Sequence, residues 1–305
     1  MPRFLPALGI MMCAAGAAAQ EASGPPPVIT VSREEVKVGR MAANEKVAAA
    51  YAAFASRTSQ PSHWIGLVPL TGDENVSLFV SPYGSFAAYE ASNNAWEQAM
   101  ATATATAKAE MEQLNRQSAE VQNSWRTMLA RHRADLSYKP HSAKDVGHAR
   151  YFAINSVRLK PGRAPDYIDY LKALNIAREK ANVDVHTAVY QVVGGAPTGT
   201  FLTFTTYSSL KEVDDGFARS DTDQKAVEAA LGGPTVVERR RQLIAEIVAE
   251  GQVNLYAMNP RMSRPPDQLA AADPDFWTPK PVAAGAKALA VKKETPAKKE
   301  EKPKP

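Results

Sequence analysis

Two stretches of this chain repeat each other at a nearly constant distance of about 123 residues, and no single motif constrains the fold as strongly. Val36-Lys-Val-Gly-Arg40 returns as Leu159-Lys-Pro-Gly-Arg163, and His63 returns as His186. After one inserted residue the register resumes, so that Tyr83-Gly-Ser-Phe86 returns as Tyr207-Ser-Ser-Leu210. A register shared by a turn, a strand start and a helix start implies duplication of one small domain. The period is too long for the unit of a stacked solenoid.

The boundaries follow from composition. Residues 1–19 have the form of an export signal: Arg3, then an apolar run, then Ala17-Ala-Ala19 before Gln20. The run is too short for an ordinary membrane-spanning helix. The single cysteine, Cys13, lies inside this segment, so the mature chain is expected to have no disulfide, thiolate ligand or cysteine nucleophile. Repeat 1 is placed at residues 28–140 and repeat 2 at 148–260, with a polar linker between them. Residues 261–305, rich in Pro, Ala, Lys and Glu, are expected to form a disordered tail, because such a segment cannot bury enough apolar surface to offset its ordering entropy.

Each repeat reads as β-α-β-β-α-β. In the second, residues 151–159 carry strand-like alternation, and Lys160-Pro-Gly-Arg163 is turn chemistry. Tyr167, Tyr170, Leu171 and Leu174 then fall at helical spacing. Residues 186–193 and 201–206 form a hairpin around Gly194-Gly-Ala-Pro197. Ser208 or Ser209 caps the next helix, residues 236–250 continue the helical region to a stop at Gly251, and residues 253–258 are a final strand. In the first repeat, alanine propensity predicts one long helix over about residues 101–133, anchored by Trp125, Met128 and Leu129, before a weak strand at 136–138.

The β-α-β-β-α-β order is the ferredoxin-like pattern. The strand ending Val157-Arg-Leu-Lys-Pro-Gly-Arg163, with its weaker counterpart Glu35-Val-Lys-Val-Gly-Arg40, resembles the dimeric α/β-barrel superfamily. That superfamily includes antibiotic-biosynthesis-type monooxygenases, NIPSNAP-like proteins and stress-responsive barrel proteins. The resemblance implies an α+β fold in which two tandem ferredoxin-like repeats form an intramolecular α/β barrel. It carries no reaction with it.

Candidate site residues come in matched pairs. His63 and His186 stand at the start of the second strand of each repeat, as bases, ligands or strand-end hydrogen-bonding groups. Tyr83 and Tyr207 stand after the third strand, and Trp64 and Tyr190 are aromatics able to line an apolar cavity. His132, His141 and His148 surround the junction, but the cations at Arg131, Arg133, Lys139 and Lys144 argue against a metal there. Phosphate-loop, dinucleotide and nucleophile-elbow motifs are missing, and the net charge of +4 forms no nucleic-acid groove. No cofactor is expected.

The main expectation is therefore an exported, periplasmic or secreted, non-enzymatic binding or interaction protein of the cell envelope. The alternative is a cofactor-independent monooxygenase-like enzyme acting on a small aromatic compound, and a weaker one is a haem-binding barrel. Expected partners are a small apolar or aromatic ligand and, through the Lys-rich tail, an envelope surface; neither nucleic acid nor a membrane-spanning segment of the mature chain is expected. A cavity lined by His186, Tyr190 or Tyr207 would favour ligand chemistry, and a packed interface an interaction role.

Overall fold

The structure of the protein is a computed structural model that describes residues 24–278. The first half of the chain runs β1 (Val28–Val36), α1 (Met41–Arg57), β2 (Trp64–Pro69), β3 (Val76–Tyr83), α2 (Phe86–Thr102), α3 (Ala105–Val121) and β4 (Gln122–His132). A short helix, α4 (Ala143–His148), leads to the second half. This runs β5 (Tyr151–Leu159), α5 (Ala164–Lys180), β6 (Ala188–Gly194), β7 (Thr200–Tyr207), α6 (Leu210–Ala230), α7 (Pro234–Ile247) and β8 (Val248–Arg264). Two further short helices, α8 (Asp267–Ala272) and α9 (Pro274–Trp277), follow.

The eight strands close into one barrel in the order β1-β3-β2-β8-β5-β7-β6-β4, antiparallel at every seam. The two seams between the halves are equivalent. In each, the last strand of one half pairs with the second strand of the other: β4 with β6, and β8 with β2. Closure therefore needs both halves and leaves no sheet edge free.

Local chemistry sets the elements. The turns after β1 and β5 contain Gly39 and Gly162 at φ of 75° and 79°, a conformation that a β-carbon disfavours. Ser85 caps α2 by accepting from the Ala88 N–H at 3.0 Å, and Ser209 caps α6 by accepting from the Glu212 N–H at 3.3 Å. Alternation along the strands sends Ile29, Val31, Phe152, Ile154 and Phe204 into the barrel. The other face packs on helices: Val157, Tyr167, Phe201 and Ile247 form an apolar layer in the second half. At the equivalent places of the first half stand Glu34, Asn44 and Ser77. There the Asn44 amide donates to Glu34 at 2.9 Å and to Ser77 at 3.3 Å, and all three are buried. Burial pushes the Glu34 carboxyl above its ordinary range, against the opposing effect of the Asn44 and Gln122 amides.

Three expectations are corrected. The long helix over residues 101–133 does not form: α2 ends at Thr102, and Thr104 caps the new helix α3 by accepting from the Ala107 N–H at 3.2 Å. Residues 122–132 are strand β4, because pairing with β1 and β6 overrides helix propensity. Trp125, expected to anchor a helix, is 58% exposed on that strand, and Tyr138 makes only an isolated bridge to Thr187. In the second half, helix α7 stops at Ile247 rather than at Gly251, for the same reason: β8 begins at Val248 against β5.

The chain after residue 260 is ordered further than composition suggested. β8 continues to Arg264, and α8 and α9 bury Leu269 and Trp277 on the barrel end. The apolar residues Met262, Leu269, Phe276 and Trp277 find a prepared surface there, which a reading of the segment alone cannot include. The remainder of the expected tail and the expected export signal, residues 279–305 and 1–19, lie outside the described residues. Among the described residues no helix is long and apolar enough to cross a membrane.

Candidate active site

Because β1 and β5 start at the same end of the barrel, the chain leaving β4 and the chain leaving β8 both cross that end. Each carries a short helix, α4 and α8, and the two pack together where Gly147 meets Leu269 and Ala272. A β-carbon at 147 would lie 2.5 Å from the Ala272 β-carbon and 2.9 Å from the Leu269 carbonyl, so only glycine permits this approach. The crossing chains are clamped by the paired histidines. His186 Nδ1 donates to the Lys139 carbonyl at 2.6 Å, and His63 Nδ1 donates to the Pro265 carbonyl at 3.0 Å. Each half thus pins the exit of the other.

Beneath this cover lies a cavity of about 290 Å³. Its walls are mostly apolar, with Ile29, Val80, Phe152, Phe204, Pro26 and Leu269 among them, and among the described residues no Lys, Arg, Asp or Glu lines it. Its polar residues are His141, His186, Tyr190 and Thr206 from the second half and the linker, with Tyr83 and Gln268 opposite. Thr206 points inward from β7 and shares a hydrogen bond of 2.5 Å with Nδ1 of His141 on the linker. His141 stacks on His186 with ring centroids 4.2 Å apart and planes 21° from parallel. The place across the barrel that matches Thr206 holds Pro82, and the polar residues of the lining on that side are Tyr83 and Gln268.

His141 is the group with chemistry to offer. Burial holds its imidazole below the ordinary histidine range, and the neighbouring His186 pushes the same way, against Asp145, Glu212 and Asp184. It is therefore neutral near pH 7. When Nδ1–H is donated to Thr206, the Nε2 lone pair is open; among the described residues Nε2 has no hydrogen-bond partner. A neutral imidazole with one free nitrogen in an apolar chamber is a proton acceptor. Tyr190 is not: its hydroxyl donates to the Pro26 carbonyl at 3.1 Å, and burial pushes the phenol far above its ordinary range.

The six sequence candidates divide. His186 and Tyr190 line the cavity, and Tyr83 borders it at the end of β3, with its ring edge-on to Tyr89 at 5.1 Å. His63 and Trp64 do not line it. The Trp64 indole donates to the Met262 carbonyl at 2.8 Å, so both residues fasten the extension of β8, and His63 borders a separate groove against α2. Tyr207 does not line it either, because strand neighbours face opposite ways and Thr206 takes the inward position. His141 was missed as a candidate. Its only sequence signal was its place at the junction, which acquires meaning when the linker is seen to cross the barrel end.

The haem reading does not fit these residues. His186 has no free ring nitrogen, since Nδ1 is bound to Lys139 and Nε2 faces Asp184 Oδ1 at 3.1 Å, and about 290 Å³ is too small for the macrocycle. Among the described residues no cluster of His, Cys, Asp and Glu is built to hold a metal ion.

No protein-family model matches the chain, and no curated protein matches it in sequence. Solved structures do align. A proposed monooxygenase from Fusobacterium nucleatum subsp. nucleatum is 12% identical with a TM-score of 0.44, over 77% of this chain and 93% of that one. A mutant chlorite dismutase from Candidatus Nitrospira defluvii is 8% identical with a TM-score of 0.44, over 83% of this chain and 99% of that one. An anthrone oxidase-like protein is 14% identical with a TM-score of 0.42, over 76% and 91%. None of the three bears a NIPSNAP name. Likeness this distant transfers no residue role.

The expectation of a non-enzymatic binding or interaction protein is corrected. The aligned structures bear the names of monooxygenase-like, oxidase-like and dismutase proteins. The barrel itself holds an apolar chamber at its end, in place of the packed interface that an interaction role requires.

Proposed function

We propose that this protein is a barrel enzyme that oxygenates a small, uncharged aromatic compound without a bound cofactor, with His141 as proton acceptor. The observation that carries this reading is an apolar chamber with the hydrogen-bonded pair His141 and Thr206 in its wall. A volume of about 290 Å³ suits a ligand of about two rings, given that about 150 Å³ holds benzene. Apolar walls with a few convergent polar groups suit a flat ring with one or two hydroxyls. With no lysine or arginine among the described lining residues, an anionic ligand would be desolvated and unpaired, so the substrate enters neutral.

The chemistry follows from the residues. A phenolic ligand beside His141 gives its proton to Nε2 of that ring. The resulting anion supplies the electron pair for a new bond from ring carbon to dioxygen. The peroxide takes the proton back from His141, and loss of water from a carbon that still bears hydrogen leaves a carbonyl. The apolar walls exclude bulk water from the anion.

The test uses purified protein with 1-naphthol, 1,4-dihydroxynaphthalene and anthrone in an oxygen electrode. Oxygen uptake above the uncatalysed rate is expected for at least one compound, and His141→Ala should lower it by about 100-fold or more. Binding without oxygen uptake would sink the oxygenase reading, and absence of binding would sink the cavity as a ligand site.

Two further parts of the reading are proposals of the same standing. The halves are tandem ferredoxin-like repeats: their element orders agree, and so do their glycine turns and histidine clamps. The chain is exported to the periplasm or beyond with residues 1–19 removed, which N-terminal sequencing of the mature protein decides.

A further inference from the structure

We infer that His186 is a positioning residue for His141, fixing the plane and direction of its ring. The inference rests on the proton-acceptor role of His141 proposed above. His186 holds His141 in two ways. Its Nδ1 clamps the Lys139 carbonyl, two residues before His141, and its ring stacks on the His141 ring at 4.2 Å. It is itself held on the far side, where Nε2 faces Asp184. A ring stacked on one face and bonded at Nδ1 to Thr206 has little freedom left, so Nε2 keeps a fixed direction.

The other half supplies an internal control. His63 makes the same clamp, on Pro265, but the residue two further on is Asp267, which does not line the cavity, and among the described residues no aromatic ring stacks on His63. The clamp alone thus belongs to the fold, whereas among the described residues clamp and stack come together at His141. The charged groups facing His141 are Asp145 on α4, Glu212 on α6, and Asp184 with His186 on the segment before β6. Of these only His186 opposes protonation, in the same direction as burial. Replacing it should make His141 easier to protonate.

The measurement follows the ring Cε1–Hε1 signals of the five histidines in the full chain by NMR across about pH 5 to 9. His141 is assigned from the signal lost in His141→Gln. In wild type, a cross-ring nuclear Overhauser effect between His141 and His186 is expected. In His186→Phe and in His186→Gln, which keeps a donor toward Lys139, the His141 midpoint should move to higher pH. An unmoved or lowered midpoint in a folded variant overturns the inference, as does absence of the cross-ring effect in wild type, a result that stands even if neither variant folds. The titration needs no ligand, so failure of the oxygen-uptake assay and failure of this inference are read separately.

Discussion

At the scale of residues, the two halves divide labour between stability and chemistry. The pair His63 and His186 was legible from spacing alone, and both make the same strand-exit clamp. Only one acquires a second role, because His141 happens to follow the carbonyl it holds. Glu34 is the opposite case: a carboxyl buried on the outer sheet face, where the second half has Val157. Its folded-state pKa is raised, so the folded protein binds the proton more tightly than the unfolded chain does. Its contribution is fully present below the unfolded carboxyl range and is lost as pH rises through the raised value. Glu34→Gln, which stays neutral and keeps a hydrogen-bonding head, should therefore raise the melting temperature near pH 7.5. The difference from wild type should shrink toward pH 4. Thermal melts at both pH values check this, and a variant less stable at pH 7.5 would contradict it.

Among elements, the cover of the cavity is the least predictable part. α8 and α9 are too short to stand alone, and they hold on through particular contacts. The Trp277 indole donates to the Gly147 carbonyl at 2.8 Å, Arg150 pairs with Asp273, and the Arg150 guanidinium lies 3.9 Å over the Phe276 ring. Trp277 is 3% exposed, and deleting a buried tryptophan side chain costs about 3–5 kcal/mol. In Trp277→Ala that loss should fall on the strap, because the eight-strand ladder does not depend on it. Limited proteolysis should cut Trp277→Ala after residue 264 while leaving a barrel core that melts near the wild-type temperature. Simultaneous loss of strap and barrel would show the two to be one cooperative unit. The long helix wrongly expected over 101–133 teaches the converse. Alanines at 101–107 favour helix locally, but whether the residues after Val121 are helix or strand is decided by β1 and β6, which lie far away in sequence.

The whole molecule is a barrel with two equivalent seams, each formed by a last strand and a second strand. An isolated second half, residues 148–278, would expose the edge of β6, which loses β4, and the edge of β8, which loses β2. Since those edges are of the same two kinds that pair in the intact protein, two copies should close a barrel together. Light scattering at micromolar concentration should report a dimer, or larger self-association through unpaired edges. A stable monomer would mean that the halves fold independently and that the seams contribute little.

The sequence by itself determined the periodicities: the register of about 123 residues, the glycine turns, most strands and helices, and the matched histidines. These are local signals, written in side-chain alternation, turn chemistry and caps within a few residues of where they act. What only the tertiary structure decided was which groups meet across the barrel end. Thr206 rather than Tyr207 faces inward because β7 pairs in one register, and one residue of slip would reverse it. His141 reaches Thr206 and His186 because the linker crosses the mouth and is caught there by the Lys139 carbonyl. Strand β4 and the strap after residue 260 exist because partners distant in the chain supply the hydrogen bonds and apolar surface they need. A site assembled from a linker, a loop and a strand leaves no periodic trace, since nothing in the spacing of its residues records the closure that brings them together.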